Sequence, residues 1–173
     1  MHSATIDDCI QYGGATVVPL PAGRIGSVGK GGESVLLDDL GFLLARASAV
    51  GVAAGNDSLQ PLGLTVRAFA TLTLAVEHDG ITQRGISDFL RLDPSRVVAI
   101  VDDLENRGLV SRLVGRGDRR MKAVVATPAG HALFRRAVAA TRKGERDVFQ
   151  GLTPEARTEA IRVLRRLAFP DEE

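Results

Sequence analysis

The densest chemistry in this 173-residue sequence is cationic. Residues 107–122 hold six arginines and lysines against one acid, Asp118, a local charge of +5 on a chain whose net charge is +1. Arg112, Arg116, Arg119, Arg120 and Lys122 all fall in or beside the turn Gly115-Arg116-Gly117-Asp118. A cluster of this kind on a near-neutral chain implies an anionic partner that docks at one place. The first 66 residues lean the other way, with three basic and six acidic side chains.

Other reactive residue types fall short of a site. His78 and His131 stand far apart beside Glu77 and Asp79, and two distant histidines without cysteine make a poor zinc signature. The single cysteine, Cys9, excludes an internal disulfide and is read as an unremarkable thiol rather than a redox switch. The segment GSVGKGGES (26–34) resembles a phosphate loop, but that loop needs glycine where Arg24 stands and Ser or Thr where Gly31 stands. No nucleophile–histidine–acid order or carboxylate pair emerges, so no catalytic residue, cofactor or metal is expected. No apolar run approaches the roughly 20 residues that span a bilayer, and no secretory signal opens the chain, so a cytoplasmic protein without membrane contact is expected.

The elements that must position the cations follow from periodicity and caps. Residues 1–33 are rich in Gly and Pro, with one β-prone piece at Thr16-Val17-Val18, and read as an extended or flexible arm. From Ser34, apolar residues recur at helical spacing (Leu37, Leu40, Leu44, Ala47) until Asn56-Asp57 ends the run. Thr65 caps a second helix that buries Phe69, Leu72 and Val76, and Thr82 opens a short third burying Ile86, Phe89 and Leu90. Asp93-Pro94 is the best-defined start, a carboxylate cap followed by a residue that needs no amide hydrogen. Val97, Ile100, Val101 and Leu104 then form one apolar stripe, which Gly108 stops.

At Leu109 the period changes to two. Leu109–Val114 and Arg119–Ala126 read as a β-hairpin around the cationic turn. Thr127-Pro128 starts a long helix to about Phe149, and Thr153-Pro154 starts a last one ending near Phe169-Pro170, with Ala160, Ile161, Leu164, Leu167 and Ala168 on one face. The fold class is mainly α (α+β): a winged helix-turn-helix over 62–126, flanked by helical parts at 34–58 and 127–169. That order suits B-DNA, whose major groove admits one helix while a neighbouring hairpin reaches the flanking minor groove or phosphates. If the stripe of the fourth helix faces inward, Ser95, Arg96, Val98, Ala99, Asp102 and Asn106 face outward. Ser95 and Arg96 would then meet base edges first, and Arg96 could bind guanine bidentately, worth about 1–3 kcal/mol of discrimination.

Five segments resemble one family. LQPLGLT (59–65), GITQRGISDFL (80–90), LDPSRVVAIVDDLENRGLVSR (92–112), DRR (118–120) and TPAG (127–130) stand in the order and spacing of MarR regulators, over about residues 38–169. The resemblance implies a homodimer that reads a pseudo-palindrome in double-stranded DNA, with interleaved first, fifth and sixth helices that make 34–58 and 127–169 the dimerisation parts. It also implies repression, relieved when a small phenolic or lipophilic effector enters between the lobes. In the family's Asp-x-Arg pattern, Asp118 and Arg120 correspond to the wing acid and the arginine that enters the minor groove, where narrowness concentrates negative potential.

The expected DNA-binding set is therefore Ser95, Arg96, Ala99, Arg112, Arg116, Asp118, Arg119, Arg120 and Lys122. The fourth helix departs from the family pattern. Arg96 and Val98 replace small hydroxyl residues, while Ala99 and Asp103 replace frequently basic ones, so donors are fewer. The acidic pair Asp102-Asp103 motivates an alternative, a winged-helix module that binds protein with weak or no DNA binding. Arg135-Arg136, Arg142-Lys143 and Arg165-Arg166 read as solvated helix faces. Arg46 and Arg67 suit either a ligand carboxylate or the surface.

Overall fold

The computed structural model describes residues 10–12, 15–17, 34–114 and 122–170. By internal contacts the chain divides into two units, 1–53 and 54–173. In the first, β1 (Ile10–Tyr12) pairs antiparallel with β2 (Ala15–Val17), with Ile10 opposite Val17 and Tyr12 opposite Ala15. The β-prone piece near Thr16 is thus one edge of a short hairpin. The remainder of the arm lies outside the described residues. A 3-10 turn, Val35–Leu37, precedes α1 (Leu40–Leu59), whose start is capped by Asp39 accepting the Phe42 amide at 2.7 Å.

The second unit begins within α1 and holds the core. Helix α1 does not end at Asn56-Asp57 as its sequence suggested. It continues to Leu59 because the Asn56 side chain serves the next helix, its Oδ1 accepting the Val66 amide at 2.9 Å. A proline-led 3-10 turn, Gln60–Leu62, and Gly63 at φ +65° make the bend into α2 (Val66–Glu77). That positive φ is the region where glycine carries no Cβ penalty. Thr65, Thr82, Thr127 and Thr153 each accept the amide three residues on, which starts α2, α3 (Gln83–Leu90), α5 (Pro128–Val148) and α6 (Pro154–Ala168) as expected.

Three strands form one antiparallel sheet in the order β3 (Ile81–Thr82), β5 (Lys122–Ala126), β4 (Val110–Val114). Val110 stands opposite Ala126, Arg112 opposite Val124 and Ile81 also opposite Val124. Leu59, Leu72, Ile86, Val97, Val101, Leu104 and Val124 are fully buried, so α2, α3, α4 and the sheet share one core. Phe69 of α2 stacks on Phe134 of α5, their ring centroids 6.1 Å apart, which ties the long helix to the same core.

Phe89 departs from expectation. It is 50% exposed and meets the ring of Phe169 beyond the end of α6, at 5.5 Å. Within α3 the buried positions are Ile86 and Ser87. Leu90, the residue after Phe89, is the side chain of the last turn that packs against the core, and Phe89 lies off that face. Helix α6 buries no residue at all in its own chain.

Candidate nucleic-acid interface

Helix α4 (Pro94–Asn106) positions the first group of candidate residues. Val97, Val101 and Leu104 are wholly buried, which turns Ser95, Arg96, Val98, Ala99, Asp102 and Asn106 outward as the stripe predicted, and Asp103 with them. The helix start is rigidly made. Asp93 Oδ1 accepts the Ser95 amide at 2.8 Å and also the Ser95 hydroxyl. These bonds from Ser95, the hydroxyl first, hold the Asp93 carboxyl below its ordinary value, so the cap is ionised at neutral pH.

One chemical consequence concerns Ser95 itself. Its only hydroxyl proton is committed to Asp93, so toward an external partner Ser95 offers acceptor lone pairs. Arg96 is the contrasting neighbour. Its guanidinium makes no hydrogen bond or ion pair with any described residue, leaving all its donors available at the helix N-terminus. Ala99 and Val98 are exposed apolar positions between them, suited to contact with a thymine methyl rather than a hydrogen bond.

The second half of α4 carries three acids, and each has a cation. Arg112, on β4, pairs with both Asp102 and Glu105, and its backbone amide donates to Glu105 Oε1 at 2.9 Å. Arg107, one residue past the helix, reaches Asp103 Oδ2 at 3.1 Å. Burial alone would pull the Arg112 guanidinium down, but the bonds to Asp102 and Glu105 outweigh it and raise it above its ordinary value. The acidic pair that motivated a protein-binding module is thus engaged within the fold, three acids sharing two arginines.

Arg112 has a different place from the other sequence-selected cations. Its side chain is 16% exposed and braces the hairpin against α4 rather than standing free. Arg116, Asp118, Arg119 and Arg120 lie outside the described residues, as does the side chain of Lys122. The backbone of Lys122 pairs with Val114, so the ends of β4 and β5 bracket residues 115–121 in sequence. The exposed face of α4 and this hairpin are adjacent through the Arg112 brace.

The sequence reading missed Arg107. Besides Asp103, its guanidinium donates to Gly63 O at 2.8 Å and Leu62 O at 3.3 Å, across 44 and 45 residues of chain. The Asp103–Arg107 spacing of four was a legible signal for half of that arrangement. Among the described residues no group of three or more His, Cys, Asp or Glu side chains is placed to hold a metal.

A family model described as MarR family matches residues 62–121, the segment from the α1–α2 bend through the cationic turn. An HTH-type transcriptional repressor of Mycobacterium tuberculosis is 31% identical over 134 residues, covering 76% of this chain and 96% of the relative. The chain belongs to the MarR family. Solved MarR-family structures share its fold. A transcriptional regulator from Rhodococcus sp. RHA1 is 39% identical with a TM-score of 0.75, covering 78% of this chain and 96% of its own. CouR of Rhodococcus jostii RHA1, solved with p-coumaroyl-CoA, is 37% identical with a TM-score of 0.72, covering 80% and 97%. The M. tuberculosis protein has been solved with DNA, at 29% identity and a TM-score of 0.64, covering 75% and 97%. This MarR-family chain is thus a winged-helix transcription regulator.

Proposed function

We propose that this protein is a homodimeric, effector-responsive repressor that docks α4 in successive major grooves of a pseudo-palindromic operator. The observation that carries the reading is the outward face at the start of α4. Exposed Arg96 and the acceptor Ser95 stand beside small apolar Ala99, on a helix whose three acids are each paired with Arg107 or Arg112. Arg120, Arg119, Arg116 and Lys122 supply minor-groove and phosphate contacts from the hairpin, with Asp118 ordering the turn. Arg112 acts through position, holding the hairpin against α4.

Dimerisation uses the helical parts 34–58 and 127–169. On α6, Ile161, Leu164 and Leu167 are 39%, 49% and 54% exposed, and Leu40 and Leu43 of α1 are exposed as well. A helix with this much bare apolar surface calls for a covering partner. A second copy supplies it and sets two reading heads about 34–36 Å apart on one face of DNA. The relatives solved with p-coumaroyl-CoA and, in the M. tuberculosis protein, p-aminosalicylic acid support a small aromatic effector. The effector works by favouring a conformation with wrongly spaced heads. We assign the protein no catalytic role and place it in the cytoplasm, with the chromosome; no single described helix is long and apolar enough to cross a membrane.

The reading is tested by fluorescence anisotropy with duplex DNA from upstream of the protein's own gene, titrated across salt. Arg120→Ala is expected to weaken binding and lower the salt slope by about one unit. An unchanged slope rejects the minor-groove role of Arg120. Absence of any operator binding by the wild-type protein, with retention of a protein partner instead, supports the interaction-module alternative.

A further inference from the structure

We propose that Arg107 is a positioning residue that fixes the angle of the reading helix by clamping the end of α4 to the α1–α2 bend. The inference rests on the proposed DNA docking for its functional meaning, but the clamp itself is a property of the free protein.

The geometry is specific to arginine at 107 and glycine at 63. The planar guanidinium donates at once to the carbonyls of Leu62 and Gly63 and to the Asp103 carboxylate, at 3.3, 2.8 and 3.1 Å. The fork spreads its donors over two nitrogens, Nη1 to Gly63 O and Asp103 and Nη2 to Leu62 O, whereas lysine carries all three of its donors on one nitrogen and cannot reproduce that spacing. The two carbonyls lie at the end of the 3-10 turn Gln60–Leu62, where backbone acceptors lack helical partners and a cation is favoured. A Cβ on Gly63 would stand 3.3 Å from Arg107 Nη2, and the φ of +65° disfavours a side chain there as well. Glycine therefore both makes the bend and leaves room for the clamp.

The opposite side of the bend is also held, by the Asn56 side chain on the Val66 amide and by the Leu64 amide on Leu59 O at 3.2 Å. Beside the shared apolar core, Arg107 is thus a polar connection from this braced bend to the reading helix, at the end of α4 away from Ser95 and Arg96. A rotation of α4 pivoting near its buried middle moves both of its ends, so restraining the last turn restrains the first. Phosphate contact does not require these bonds. Two backbone carbonyls and a carboxylate take three of the five guanidinium donors, whereas Arg96 makes no side-chain hydrogen bond among the described residues.

The test compares full-length wild type, Arg107→Ala and Arg107→Lys. In the first arm, hydrogen–deuterium exchange is measured on the free proteins. Arg107→Ala is expected to speed exchange about tenfold in peptides covering both 59–66 and 103–109, with α5 unchanged, and Arg107→Lys to fall between. Unchanged exchange at 59–66 overturns the clamp, whatever the protein does with DNA. Uniformly faster exchange throughout the chain overturns it too, because it marks general destabilisation.

In the second arm, duplexes selected from a random pool on the wild-type protein are rebuilt with the half-site spacing changed by one base pair. Arg107→Ala is expected to flatten the wild-type preference for the native spacing at least threefold, at an unchanged salt slope. A slope reduced by about one unit overturns the proposal and makes Arg107 a phosphate contact. If the wild type selects no duplex, the DNA-docking reading fails, and the exchange arm alone decides whether the clamp exists.

Discussion

Replacing Gly130 with alanine should reverse the usual effect of that substitution in a helix. Alanine ordinarily favours a helix over glycine by up to about 1 kcal/mol. Gly130 sits in the first turn of α5, where a Cβ would lie 2.0 Å from Leu109 O, 3.1 Å from Leu109 C and 3.3 Å from Leu72 Cδ1. Non-bonded contacts need more than about 3 Å, so helix and strand entry must separate by roughly 1 Å. Leu109 O accepts the Thr127 amide at 3.0 Å, and that separation breaks the bond, while the Thr127 hydroxyl keeps its shorter bond to Gly108 O at 2.7 Å. One lost bond at about 1 kcal/mol, together with loosened packing around Leu72, exceeds the propensity gain. The expected net loss is about 1–2 kcal/mol. Urea denaturation followed by far-ultraviolet circular dichroism, at matched protomer concentration, reads it as a lower midpoint. A midpoint equal to or above wild type would refute the close-approach argument. Gly144→Ala is the control. Its Cβ meets the Ser58 hydroxyl at 2.0 Å, a group that can rotate away at the loss of its 2.8 Å bond to Ala54 O, so the cost should stay at about 1 kcal/mol.

Arg112→Ala should cost about 1–2 kcal/mol in chemical denaturation, because it strands Asp102 and Glu105 beside a partly buried strand, and should weaken operator binding without changing its salt slope; a slope lowered by one unit would show that Arg112 touches phosphate instead. Leu164→Asp should convert the dimer to monomer in size exclusion with light scattering, and an unchanged dimer mass would remove α6 from the interface. Asp93 has a folded-state pKa lowered from 3.8, so its contribution is present above that value and fades as pH falls through the lowered one. Asp93→Ala should therefore flatten the acid limb of melting temperature against pH, and an unaltered limb would argue against the cap.

The parts of this fold written into the sequence are those controlled by local chemistry. Asp93-Pro94, Thr127-Pro128 and Thr153-Pro154 each start the helix they predict, because cap and proline act within one turn. The α4 stripe likewise sorted its inward from its outward residues. What stayed hidden depends on distant chain. The two residues of β3 are too few to show a period, and their strand exists only through pairing with β5. Asn56 looked like a helix stop because its acceptor is used ten residues later, on Val66. At the candidate interface, the acids of α4 read as a liability until the fold supplied Arg107 and Arg112. The family resemblance pointed to Arg120 and Asp118, and the docking surface of the hairpin remains an assignment from that motif and its charge.

Helix α6 spans 15 residues and buries none of them against its own chain. A helix of that length is marginal in water when nothing packs on it. Ordering this segment and acquiring a mate are then a single thermodynamic event. Copy number consequently governs the regulator twice, once through occupancy of its target and once through the fraction of polypeptides that possess a finished carboxyl end. Growth, by diluting the pool, would loosen repression more steeply than simple mass action on a preformed pair.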